Sequence, residues 1–191
     1  MNRALKGIAM RKLAQSTLLA VLMVGLLSCE ERTDRTDTGG VLLTVSDFDG
    51  LPIAVSVNNS DFVQVTSLTI QSVVLNPGAP TSSLMDVEIT SYQVRYRRVD
   101  AGTRTPRPLV NGFFGNVPLN GVDTINNLVI MGPEQLNNAP LSDLLFINGG
   151  FDKETGSPVI KLEFELTFFG KTLSGDDVST NPARFAIDFT P

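Results

Sequence analysis

The stretch VIKLEFELTFFG, residues 159–170, is the feature that most constrains this chain. Ile160, Leu162, Phe164, Leu166 and Phe168 fall on one parity, and Lys161, Glu163, Glu165 and Thr167 fall on the other. Side chains of a strand point alternately to its two faces, so this period of two makes one apolar face and one wet face. A helix would scatter the same residues around its circumference. The segment is therefore expected to be a strand lying on a core, with its other face in solvent.

The rule recurs after residue 40. In FAIDFT (185–190), Phe185, Ile187 and Phe189 share the inward parity. In VEITSYQVRYRR (87–98), Tyr92, Val94 and Tyr96 oppose Gln93, Arg95 and Arg97. VLLTVS (41–46), IAVSVN (53–58) and TINNLVIM (124–131) read as further strands. VQVTSLTIQSVVL (63–75) is long and β-branched, but Val63 and Val65 differ in parity from Leu68 and Ile70. A bulge near Thr66–Ser67 would restore a single buried face. NPGAPTSS (76–83) and Gly149-Gly150 read as breaks, and residues 100–121 as an extended excursion rich in Gly, Pro and Arg. PEQLNNAPLSDL (133–144) is expected to hold one short helical turn opening at Pro133 and Glu134. Seven or eight strands with turn signals between them predict an all-β, antiparallel sandwich over residues 41–191. A jelly roll or small barrel would use the same pattern. By strand count and patterning alone, the arrangement is similar to the immunoglobulin-like and fibronectin type III group.

The first 28 residues follow a different logic. Residues 1–12 carry Arg3, Lys6, Arg11 and Lys12 with no acidic residue, and LAQSTLLAVLMVGLL (13–27) is mostly apolar. That run is short for a bilayer span, which needs about 20 apolar residues. A basic start, an apolar stretch and a small residue before a cut form the pattern of a secretory signal. Its boundary, Leu26-Leu27-Ser28-Cys29, resembles the bacterial lipobox in Leu26, Ser28 and Cys29, while Leu27 is bulkier than usual. The resemblance covers the first 29 residues and implies a lipoprotein whose signal, residues 1–28, is removed. It implies that Cys29 becomes the lipidated N-terminus, bearing a diacylglyceryl thioether and an N-acyl chain such as palmitate. Two or three chains hold firmly where one is marginal. Glu30 rather than Asp after the cysteine implies the outer membrane in a Gram-negative host. Residues 29–40 then form a lipidated N-terminus and polar tether, EERTDRTDTGG following the cysteine. A flexible tether of that length would hold the domain about 18 Å from the membrane on average.

Composition excludes several chemistries. The chain has no His and one Cys, so a Ser-His-Asp triad, a Cys-His pair and a His-based zinc site have no constituents. Of its 15 basic and 20 acidic residues, four basic ones lie in the leader, so the remainder is clearly acidic. An acidic domain is a poor partner for nucleic acid or an anionic membrane surface. No phosphate loop or dinucleotide fingerprint is present. Glu163 and Glu165 share one strand face and read as rungs of an ion-pair ladder with Arg95 and Arg97 rather than as a hydrolytic pair. Asp47 and Asp49, with Asp61 or Asp123, are candidate Ca²⁺ ligands, although an ordinary Asp-Gly turn is the preferred reading; the same holds for Asp176-Asp177. Arg95, Arg97, Arg98, Arg104 and Arg107 form the only basic concentration and read as a solvated strand edge and loop.

Together these readings predict a noncatalytic domain, without cofactor, tethered to the envelope membrane through lipid on Cys29. It would act as an interaction or structural module with an envelope protein or glycan as partner. The alternative is a glycan- or peptide-binding module using loops at one end of the sandwich. Phe113 and Phe114 of GFFG would then supply exposed rings.

Overall fold

The computed structural model describes residues 40–78 and 80–191. The leader, the lipobox with Cys29, and the tether as far as residue 39 lie outside the described residues. Nine strands are described: β1 (Val41–Asp49), β2 (Ala54–Ser56), β3 (Val63–Val74), β4 (Val87–Arg98), β5 (Leu109–Val117), β6 (Val122–Met131), β7 (Ile160–Thr172), β8 (Asp177–Ser179) and β9 (Ala183–Thr190). A single turn of helix, α1 (Pro133–Leu136), opens at the proline where the sequence places it. None of the described helices is long and apolar enough to cross a membrane.

The strands form two sheets. One runs β1-β3-β6; the other runs β2-β9-β7-β4-β5, with β8 also pairing β7. All pairings are antiparallel except β2 with β9. The protein is thus all-β, built mainly of antiparallel strands, as the alternation predicts. Both sheets contribute to one core. Ile160, Leu162, Phe164, Leu166 and Phe168 of β7 are fully buried, as are Val65 and Ile70 of β3 and Ile130 of β6. Phe164 lies at the centre, edge-on to Tyr96 at 5.1 Å and stacked on Phe185 at 5.2 Å. Aromatic pairs in such geometries add about 0.5–1.5 kcal/mol beyond burial. The two sheets are also tied through the core, because the Tyr92 hydroxyl donates to the Val129 carbonyl at 2.7 Å and the Tyr96 hydroxyl to the Ile130 carbonyl at 2.8 Å.

Several expectations need correction. The excursion 100–121 contains β5, a nine-residue edge strand, between an irregular first part and the turn at residues 118–121. IAVSVN is a strand for three residues only and then turns into a 3₁₀ helix, Val57–Asn59. The phase change in β3 is real but is not a one-sided bulge. Val65 pairs Leu128 and Ser67 pairs Asn126 without a register shift. Both strands change face together, with Asn127 in the left-handed region at φ 54°. One-sided bulges do occur elsewhere, at Asp47 of β1 and at Thr90 of β4 opposite β7.

The flanks of the two sheets differ. On one flank β8 continues alongside β7, and the next residue, Thr180, makes a parallel bridge to Leu43 of β1. On the other flank β5 and β6 are joined by a short turn in which Gly121 donates to the Pro118 carbonyl at 2.9 Å. Beyond that turn they belong to different sheets and their edges are not paired to each other.

Candidate functional site

Three places bring polar residues together: a charged cluster beyond the end of β4, a cleft on the β5/β6 flank, and a second cleft beside α1.

The charged cluster centres on Asp152. Arg98 is the last residue of β4 and shares the inward parity of Tyr92, Val94 and Tyr96, so its side chain enters the interior and is 2% exposed. Its guanidinium meets Asp100 at 2.6 Å and Asp152 at 3.0 Å. Arg104 reaches back from the irregular segment after β4 to Asp143 at 2.6 Å and Asp152 at 3.0 Å. Asp152 opens the DKETG turn, and its carboxylate also accepts from the Thr155 hydroxyl and from the backbone amides of Glu154 and Thr155. An Asp that caps its own turn in this way is a common local device. Burial pushes the Asp152 carboxyl up, but the Thr155 hydroxyl and the Arg98 guanidinium outweigh it and hold the group well below the usual carboxylate range. Asp143 is pushed up by burial and brought below its ordinary value by Arg104 and Lys153. Asp100 is likewise pushed up by burial and lowered on balance by Arg98 and the amides of Lys161 and Gly102. The Thr103 hydroxyl and the amides of Arg104 and Thr103 lower Glu154. The ion pairs and hydrogen bonds of these carboxylates pin residues 98–104 to the 152–157 turn and to Asp143.

Sequence reasoning missed this cluster. Arg98 and Arg104 read as part of a solvated basic edge, whereas both are engaged in the network. The signal was present: parity places Arg98 inward, and Asp152 begins a D-x-x-T-G turn. The ladder reading held for one of its two rungs. Arg97 pairs Glu163 at 2.9 Å. Arg95 stands opposite Glu165, but its Nε donates to Gln93, and Glu165 takes Arg184 of β9 at 2.8 Å instead. Asp47 occupies the β1 bulge with φ 52°, and Asp49 pairs Ser67. Among the described residues no group of three or more His, Cys, Asp or Glu side chains is arranged to hold a metal ion.

The cleft lies between β5 and β6. It has a volume of about 300 Å³ and is lined by Tyr92, Asn111, Gly112, Phe113 and residues 125–129. The Asn111 amide donates to the Tyr92 hydroxyl at 3.1 Å, extending the chain of hydrogen bonds that ends on the Val129 carbonyl. Phe113 is half-buried and packs edge-on against Phe168 at 6.1 Å. Phe114 is 77% exposed and outside the lining. The GFFG rings therefore stand on an edge strand at the flank, at a bulge opposite Thr90, and not on a loop at the end of the sheets. A second cleft, about 390 Å³, lies among Thr105, Arg107, Glu134, Gln135 and Asn138, where Arg107 and Glu134 approach to 3.7 Å.

The geometry defines the class: an all-β protein of two sheets around one core, with a buried ion network and an uncharged flank cleft. No family model matches the chain, and no curated protein matches it. The X-ray structure of Northeast Structural Genomics Consortium target SoR45 aligns over 81% of this chain and 90% of that one, with 10% sequence identity and a TM-score of 0.37. That likeness is too distant to carry a function across.

Proposed function

We propose that the protein is a lipid-anchored component of the bacterial cell envelope, with an immunoglobulin-like β-sandwich that acts as a noncatalytic interaction module. The anchor reading rests on the lipobox, in which the chain's single cysteine falls at the position that is lipidated. Sorting to the outer membrane follows from Glu30 in a Gram-negative host. One structural observation carries the noncatalytic reading. The carboxylates that cluster are all held below their ordinary values by arginine, threonine or backbone donors, so none is poised to exchange a proton near neutral pH.

A second reading, recognition of a small ligand, is favoured by the flank cleft, where Asn and aromatic side chains converge. Intact mass spectrometry of the protein from membranes tests the anchor. The expected species begins at Cys29 and carries acyl chains. Cys29→Ser is expected to leave the protein unprocessed or move it out of the membrane fraction. A species that begins at Met1 without acyl mass would remove the anchor from the proposal.

A further inference from the structure

We propose that the cleft between β5 and β6 binds a neutral, polyhydroxylated ligand, the chemistry of a short oligosaccharide segment. The inference deepens the recognition reading above and depends on it, but not on the lipid anchor.

Three features point to that ligand class. The first is charge. Every residue lining the cleft is uncharged: Asn111, Asn126 and Asn127 supply amides, Tyr92 a phenol, and Phe113 a ring. An anion would find no guanidinium or ammonium there, and a cation no carboxylate. In a domain so rich in acidic residues, an uncharged concave patch selects against ions.

The second is hydrogen-bond type. Each carboxamide offers two donors and an acceptor, and a sugar hydroxyl is both donor and acceptor, so the two are matched. The side-chain amides of Asn126 and Asn127 are exposed and have no partner among the described residues. Asn111 is already fixed by its bond to Tyr92, which is itself fixed by Val129. The remaining polar atoms of Asn111 are thus presented in one orientation, and such preorganisation lowers the entropy cost of binding. Phe113, braced on Phe168, gives the C–H face of a sugar ring an apolar surface. An apolar wall with a few fixed polar groups is the usual composition of a small-ligand site, and about 300 Å³ lies at the small end of the range.

The third feature disfavours the main competitor, an extended peptide added to an edge. The β5 edge is broken by the bulge that sets Phe113 and Phe114 against Thr90. The β6 edge is broken by Asn127 at φ 54°. Bulges and irregular residues on edge strands oppose strand addition.

The test uses the protein as expressed, ¹⁵N-labelled, in a detergent without a sugar headgroup, whether or not Cys29 is acylated. Maltotriose, cellotriose and chitotriose are titrated separately. At least one is expected to give saturable amide shifts confined to Asn111, Gly112, Phe113 and residues 126–129, with Kd no weaker than about 1 mM. Asn126→Ala removes one amide. Asn127→Gly removes the other while tolerating the left-handed backbone. Each is expected to weaken binding roughly three- to tenfold, the loss of one hydrogen bond. Phe113→Leu keeps an apolar contact with Phe168 but removes the ring, and a larger loss is expected. Absence of a saturable shift with all three sugars overturns the proposal, as do shifts that map elsewhere or affinities equal in the three variants. A neutral tripeptide, triglycine, is titrated in parallel: saturable shifts at these amides with the peptide and none with the sugars overturn the sugar assignment alone, whereas no shift with either overturns the recognition reading as well.

Discussion

Arg98 shows how one residue can be read correctly by parity and wrongly by composition. It belongs to the inward row of β4, and an arginine there requires partners because an unpaired buried charge costs several kcal/mol. Asp100 and Asp152 supply them. Breaking a buried pair from one side typically costs about 3–5 kcal/mol. Asp152→Ala and Arg98→Ala are each expected to lower stability by about that amount in thermal or urea unfolding followed by circular dichroism. The pH dependence has a definite sign. Asp100, Asp143 and Asp152 are held below their unfolded values, so the stability they contribute is present above about pH 4–5 and lost as pH falls through the acid range. Melts between pH 7 and pH 3 are expected to show this loss in the native sequence and a shallower one in Asp152→Asn. The two tyrosines give a second residue-scale test, because the chain contains no others and no Trp. Burial raises both above their ordinary value; Asn111 partly offsets this at Tyr92, and Tyr92 adds to it at Tyr96. Stability tied to the neutral phenols is present below about pH 10 and lost as pH rises beyond it. Phenolate absorbance should therefore rise together with unfolding rather than as an independent titration near pH 10.

Among the elements, β7 was the most legible. Its five inward residues are all fully buried, and its outward residues bear the ion pairs. Less legible was its far end. A Cβ added at Gly170 would run into the Glu88 carbonyl and backbone of Ile89, where β4 bulges at Thr90. Gly170→Ala is expected to cost about 1–3 kcal/mol, since neither strand can yield without disturbing its ladder. Denaturant midpoints would show it, and an unchanged midpoint would mean that β4 relaxes freely. The β3/β6 pair teaches a related lesson. The parity break at Thr66–Ser67 was visible in the sequence, but its resolution depended on the partner strand. Asn126 and Asn127 make the same break opposite it, so pairing continues without a register shift. A single strand's pattern cannot show whether its neighbour shares the irregularity. For β5, four Gly and Asn residues and an interrupted alternation hid an edge strand inside what reads as a loop.

At the scale of the whole molecule, the core, the inter-sheet hydrogen bonds and the unequal flanks act together. Tyr96→Phe removes one of the two tyrosine hydrogen bonds that tie β4 to β6 and leaves the Ile130 carbonyl buried without it. A loss of about 1–2 kcal/mol is expected, with the fold retained, measurable as a lowered urea midpoint at unchanged slope. The sequence by itself determined the all-β class, the inward rows of β4, β7 and β9, and the exclusion of histidine chemistry. These follow from residue identity and a local period of two. Only the tertiary structure decided which strands pair, where the two sheets part, that Arg98 and Asp152 meet across 54 residues, and that Asn111 and Phe113 share a cleft with Asn126 and Asn127. Alternation records which face of a strand is buried. It does not record what lies against that face, because pairing between distant segments is settled by packing the whole core at once.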